Sequence, residues 1–494
     1  DKANDAIRIN GRDLRAECVG EGGNLGLTQL GRIEYAQRGG RINTDFIDNS
    51  AGVDTSDHEV NLKIVLDRVV ANGDLTVERR NALLAEMTDE VADLVLRDNY
   101  EHNLALANAV AHAPSLLHVH EDWMKKLERM GVLNRELEAL PTSRQVRRRL
   151  ERGGELSVPE LSVLLSWTKI VLADELLASD LPDDPYLDID LRAYFPEPLQ
   201  KDFTRQLREH PLRREIIVTQ VVNDLVNGAG MTFVPRLSGE TGASAAELTR
   251  ANFVAREIFG SLELRRELMT WDNKLDAQVQ TRMRIQMRTL VERASRWLAT
   301  NRRPPLDSQG TVDHFREPVQ ALMAQLPELM TGREREDLEA RRDVLVQKDV
   351  PEDLATRVAV LDPAYSLLGV VDNALRAGLD PADVTRVHFA LAERLGLPML
   401  VRRIFALPRE DRWQTMARAA LRDDLYGVHT QLTAQVLEKS SPDEPAAARI
   451  ATWEETDQVA VGRATATLEE ICRDESADLA RMSVGLRVVR TLLG

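Results

Sequence analysis

Two short stretches near the start of the chain hold residue types able to do chemistry. The first is "GEGGNLG", residues 20–26, and the second is "DNSAGVDTS", residues 48–56. Glycines such as Gly22 and Gly23 allow a tight turn and let backbone amides approach a bound group at a helix N-terminus. The spacing is G-x-G-G-x-x-G, not the G-x-G-x-x-G dinucleotide fingerprint, and a single glycine loop commonly does no more than turn a strand into a helix. A second signal strengthens it. The "DNSAG" turn is expected at the carboxyl end of the next strand, and in open parallel sheets ligands bind in the crevice beyond those ends. Asn24, Asn49 and Ser56 would then share one crevice, offering amides and a hydroxyl to a neutral ring and a carboxylate.

These turns need elements to hold them. Residues 14–19 read as a short strand, 27–37 as a helix with apolar Leu27, Leu30 and Ile33, and 41–47 as a second strand with Ile42, Phe46 and Ile47. Strand, glycine turn, helix, strand is the pattern of a parallel α/β unit. From Asp57 a helix carrying Val60, Leu62, Ile64, Val65 and Val69 runs to a stop at Asn72-Gly73. Beyond it the chain reads almost entirely as amphipathic helix, including long segments over 263–299 and 457–493, with linker candidates at 301–310 and 439–448. The expected fold is mainly α: a short N-terminal α/β unit, a Rossmann-type remnant over 1–72, then a multi-helical part divided into 73–300 and 301–494.

Composition excludes several classes. At 494 residues the chain exceeds one ordinary core, and 43% hydrophobic against 29% charged residues is a globular balance. A net charge of −16 argues against a nucleic-acid partner, whose phosphates call for clustered Lys and Arg. Cys18 and Cys472 stand apart, outside any CxxC or Cys/His cluster, which suits a reduced, cytoplasmic protein and no disulfide framework. No run reaches the ~18 consecutive apolar residues of a membrane span, so no membrane partner is expected.

Other clusters favour bland explanations. His118, His120 and Glu121 in "LLHVHEDW" offer only alternate spacing with no further cluster beside them and read as solvated or capping residues; no metal site is expected. Arg213, Arg214 and Glu215 read as a salt-bridged helix surface. Asp183-Asp184 before Pro185 reads as turn chemistry, and Trp167, Trp271 and Trp297 as packing anchors.

The two N-terminal motifs carry a resemblance. "EGGNLGLT" followed by "NSAGVDTS" resembles the Glu-Gly-Ala-Asn-Gly-Pro-Thr-Thr and Asn-Ala-Gly-Gly-Val-x-x-Ser turns of glutamate dehydrogenases. The wider run is similar to the large-subunit, NAD-specific enzymes of bacteria. "PELSVLLSWTKIVL", "LPDDPYL", "YFPEPL" and "HPLRREIIVTQVVNDLVNGAGMTF" resemble the helical region of that family, and the likeness covers most of residues 1–300 before becoming diffuse. It implies NAD as cofactor, L-glutamate and 2-oxoglutarate as substrate and product, and a homo-oligomer. It implies that Gly22, Gly23, Asn24 and Asn49 lie near the cofactor and that Ser56 grips the substrate α-carboxylate. Leu25-Gly26-Leu27 stand where the family motif has Gly-Pro-Thr, and Ser50-Ala51 where it has Ala-Gly.

No segment matches the family's catalytic lysine, catalytic aspartate or first glycine-rich nucleotide turn, so no catalytic residue is assigned. The chain starts at Asp1 inside a strand-and-turn unit and is expected to be the C-terminal part of a longer enzyme, inactive by itself. The alternative is a free-standing helical scaffold or adaptor with a small α/β appendage.

Overall fold

The computed structural model describes residues 2–409, 411–473 and 478–493, with the side chains of all these except 2–4 and 112–115. The chain is mainly helical and divides into two compact units, residues 1–250 and 251–494.

The first unit opens with the expected parallel arrangement in reduced form. Strand β1 (Cys18–Val19) pairs in parallel with β2 (Arg41–Ile42), in the register Cys18 to Arg41 and Val19 to Ile42. Helix α1 (Gln29–Gln37) connects them, its N-terminus capped by Thr28, whose hydroxyl accepts from the Gly31 amide. Each strand has only two residues, and a Rossmann-type sheet is not visible in them.

The second expected strand stops at Ile42. Thr44 turns the chain into α2 (Asp45–Asp48), and Asn49 then caps α3 (Ser50–Ala71). "DNSAG" is therefore a helix start, not a turn leading to a helix at Asp57. The apolar side of α3 buries Leu62, Val65, Leu66 and Val69 and packs on α5, while Val60 stays exposed. Helix α4 (Val77–Glu86) follows an Asn72-Gly73 stop and a Thr76 cap, as its sequence predicts.

Helix α5 (Thr88–Arg129) is a single 42-residue rod, roughly 63 Å long at 1.5 Å per residue. Trp123 lies in its last two turns. Two capping boxes start the next helices. Thr142 and Gln145 open α6 (Ser143–Glu151), and Ser157 and Glu160 open α7 (Val158–Leu177). Helix α7 is apolar almost all round, with Leu161, Leu164, Leu165, Leu172 and Leu176 buried, as befits a central element. It meets α1, α5 and the helix Arg213–Ala229. The last also packs on α8 (Asp188–Tyr194).

The second unit is helical throughout its described residues. The expected helix over 263–299 is two, Ser261–Met269 and Ala277–Asn301. Asn273 at φ 60° breaks it, and Asp276 recaps the chain by accepting from the amides of Gln278 and Val279. The expected helix over 457–493 likewise contains two, Gln458–Arg473 and Leu479–Arg490, and residues 474–477 lie outside the described ones. The core is built around Arg412–Lys439, which packs on Pro381–Leu395 and Leu479–Arg490. Among the described residues no single helix is long and apolar enough to cross a membrane.

Candidate functional site

The site grows from the ends of the two strands. Because β1 and β2 run parallel, the loop after Val19 and the chain after Ile42 leave from the same edge of the pair. The first carries Gly22, Gly23 and Asn24; the second reaches Asn49 through α2.

Buried ionic groups fold the glycine loop. Glu21 is 4% exposed and Arg32 6%. Arg32 donates to Glu21 through Nε at 2.5 Å and NH2 at 2.9 Å, and its NH2 lies 3.2 Å from Asp45 Oδ1. Burial by itself lowers the Arg32 pKa, but Glu21 and Asp45 outweigh it and hold the guanidinium above its ordinary value. Burial likewise raises Asp45, yet the Leu25 amide and Arg32 bring its carboxyl below the usual range. The carboxylates also tie down backbone. Leu25 N donates to Asp45 Oδ2 at 3.1 Å, Leu27 N to Glu21 Oε1 at 3.3 Å, and Glu21 N to Asp48 Oδ2 at 2.9 Å. Leu25 is held at φ 64°, a left-handed conformation costly for a residue with a Cβ.

This frame joins the two motifs. Asn49 Nδ2 donates to Asn24 Oδ1 at 2.9 Å, while Asn49 Oδ1 accepts from Gly52 N at 3.2 Å as the cap of α3. Among the described residues Asn24 Nδ2 has no protein acceptor. Gly22 and Gly23 are exposed, with open space where a Cβ would stand, so a ligand can reach their amides. Ser56 lies two turns into α3, exposed, its hydroxyl donating to Gly52 O at 3.0 Å. That bond occupies one hydroxyl function and leaves its acceptor lone pairs.

A polar stripe of α5 supports the second motif. Asn99 Nδ2 donates to the carbonyls of Ile47 and Asp48, each at 3.1 Å. Asn43 Nδ2 reaches Asp48 Oδ1 and Asn103 Oδ1, both at 2.8 Å. Sequence reasoning missed Glu21, Arg32, Asp45, Asp48 and this stripe. A glutamate inside a glycine loop was the available signal, but its arginine partner sits on a helix that sequence alone does not orient.

The structure also gathers Asp54, His58 and Asp98, with one ligand atom from each within 4.8 Å of the others. Burial and the charges of Asp98 and Asp57 raise the Asp54 carboxyl to about 7, and burial pushes His58 down to about 4. The sequence-level metal candidate has another fate. His120 and Glu121 are buried, not solvated, and Glu121 pairs with Arg135 at 2.7 Å and Lys125 at 3.1 Å. Arg213 and Arg214 both meet Asp183, the expected surface ion pairs, and Asp184 accepts from the Tyr186 amide in a turn.

The fold and site thus define a helical protein in which the polar glycine loop of a small βαβ unit is joined to the start of the following helix α3, both open to solvent. Comparisons with known proteins agree over the whole length. Residues 153–491 match the family model "Glutamate dehydrogenase, C-terminal", and residues 1–109 match "Bacterial NAD-glutamate dehydrogenase, catalytic domain". The chain is 41% identical to the NAD-specific glutamate dehydrogenase of Mycobacterium tuberculosis and 42% identical to that of Pseudomonas aeruginosa, over 492 residues in each case. Both alignments cover 100% of this chain and 30% of the relative. The enzyme of the same name from Halomonas elongata is 41% identical over 92% of the chain and 28% of its own length. The chain belongs to the NAD-specific glutamate dehydrogenase family, and it spans about 30% of the length of the relatives it matches.

Proposed function

We propose that this chain supplies the strand-end wall of the NAD and glutamate site in an NAD-dependent glutamate dehydrogenase. The reaction is L-glutamate, NAD and water to 2-oxoglutarate, ammonia and NADH, with the catalytic lysine outside these residues. The βαβ pair is read as the tail of a Rossmann-type catalytic domain over 1–72, followed by helical parts 73–300 and 301–494 that serve assembly or regulation in a cytoplasmic homo-oligomer.

The observation that carries this reading is the Asn49–Asn24 hydrogen bond, which fixes the glycine loop after β1 against the motif residue that caps α3. The residues fit the cofactor. Gly22 and Gly23 leave their amides approachable, and Asn24 Nδ2 is a donor without a protein acceptor among the described residues. The bound cofactor would supply the acceptor for the hydride leaving the substrate Cα. Asn24 and Asn49 orient its neutral amide and hydroxyls without adding charge that would oppose that transfer, and Ser56 takes the substrate α-carboxylate.

Steady-state kinetics of Ser56→Ala in the proposed parent enzyme test the reading. A rise in KM for glutamate with unchanged KM for NAD supports it. Unchanged constants for both would return the chain to the helical scaffold reading.

A further inference from the structure

His58 is an anomaly that the glutamate site does not absorb. Its side chain is 2% exposed, and neither Nδ1 nor Nε2 has a hydrogen-bond partner. Buried polar atoms are rarely left so, because each forfeits its hydration without compensation. The ring is held in place. It stacks on Tyr194 at 4.3 Å between centroids and 19° between planes. Tyr194 in turn is fixed by its hydroxyl, which donates to Asp57 Oδ2 at 2.8 Å and accepts from Asn61 Nδ2 at 2.9 Å.

Around the imidazole stand carboxylates. His58 Nε2 is 3.9 Å from Asp54 Oδ1, too far for a hydrogen bond, and Asp54 Oδ2 is buried without a partner. Asp98, from α5, brings a third ligand atom within 4.8 Å of both. Asp54 and His58 are four residues apart on α3, so they project from one face of that helix, and α5 packs against it. The cluster thus spans two elements whose packing is fixed by the core.

We propose that Asp54, His58 and Asp98 form a binding site for a divalent transition-metal cation of the zinc or manganese kind. One imidazole nitrogen and two carboxylates are a donor set that suits these ions. The spacing is within reach. Two donors on a tetrahedral zinc at about 2.0 Å stand about 3.3 Å apart, so closing the 3.9 Å His58–Asp54 gap takes a shift of about 0.6 Å, and bringing in Asp98 takes at most about 1.5 Å. A cation answers both features at once: it supplies the missing partner of the buried imidazole and that of the buried Asp54 Oδ2. The site joins α3 to α5 on the first turns of α3, the stretch that also carries Ser56. The inference does not rest on the NAD reading.

The test uses the 494-residue chain freed of metal by chelation, then equilibrated with Zn²⁺ or with Mn²⁺ alone and counted by elemental analysis. Asp54→Asn, His58→Gln and Asp98→Asn are run beside it, with circular dichroism to confirm that each is folded. The expected result is about one equivalent retained by the parent chain, with affinity falling by roughly tenfold or more in each folded variant. The near-isosteric Asp98→Asn keeps the test decisive should His58→Gln fail to fold. Failure of the parent chain to retain either metal, or retention that Asp98→Asn leaves unchanged, overturns the proposal.

Discussion

Asn49 Nδ2 donates to Asn24 Oδ1 at 2.9 Å, across 25 residues of sequence, and so locks the glycine loop after β1 to the start of α3. The same asparagine caps α3 through its oxygen. One side chain thus does a structural and a site-forming job, and substitutions can separate them.

Asn49→Asp keeps an oxygen for the Gly52 amide but loses the donor to Asn24, whereas Asn49→Ala loses both. Asn49→Ala should cost about 1 kcal/mol of stability, and Asn49→Asp close to none, since Asp caps as well as Asn. Both should raise KM for NAD in the parent enzyme. Urea unfolding and steady-state kinetics check the pair, and a normal KM for NAD in both would speak against the cofactor role.

Leu25 occupies a left-handed backbone at φ 64° and is 88% exposed, so its side chain repays none of the strain by packing. Leu25→Gly should stabilise the first unit by about 0.5 to 1 kcal/mol, the relief of the Cβ clash less the added freedom of glycine when unfolded. Thermal unfolding reads this directly. A destabilised variant would mean that the loop needs Leu25 for a contact.

Arg32→Met leaves Glu21 and Asp45 facing each other with their cation gone. Removing one partner of a buried ion pair costs on the order of 3 kcal/mol, and the loop amides of Leu25 and Leu27 lose their anchored acceptors. Proteolysis should then nick residues 20–27 first. A loss below about 1 kcal/mol would show the network to be dispensable.

In the second unit His388 and His429 stack at 3.6 Å between centroids, and His429 Nε2 lies 2.9 Å from the His388 carbonyl oxygen. Burial holds His429 at about 4, against 6.5 when free. The folded state keeps it neutral while the unfolded state gains a proton below 6.5. The stability it contributes is therefore present above pH 6.5 and is lost as pH falls toward 4, by about 3 kcal/mol. Urea titrations from pH 7 to 4 should show His429→Gln with a flatter acid limb than the parent chain; parallel limbs would contradict the assignment.

Much of this was legible in sequence because the signals were local. Asn72-Gly73 announces a helix stop, and the periodic Leu62, Val65 and Val69 announce a buried face. The start of α3 was not. Ser50-Ala51-Gly52 reads as a turn by propensity, and only the Asn49 cap and the packing of the helix on α5 make it helical. Clusters assembled from distant elements escaped for the same reason. Glu21 meets Arg32 and Asp45, and His58 meets Asp98, through helix orientations that periodicity does not specify.

The most direct test of the central claim is the KM for glutamate of Ser56→Ala in the proposed parent enzyme. Ser56 is exposed and its hydroxyl bonds only the Gly52 carbonyl among the described residues, so the fold should keep its stability to within about 0.5 kcal/mol. The account predicts a loss in glutamate use equivalent to about 1.5 to 3 kcal/mol, a hydrogen bond to a charged group, which is roughly 10- to 150-fold. An unchanged KM for glutamate in a stable, folded Ser56→Ala enzyme would contradict it.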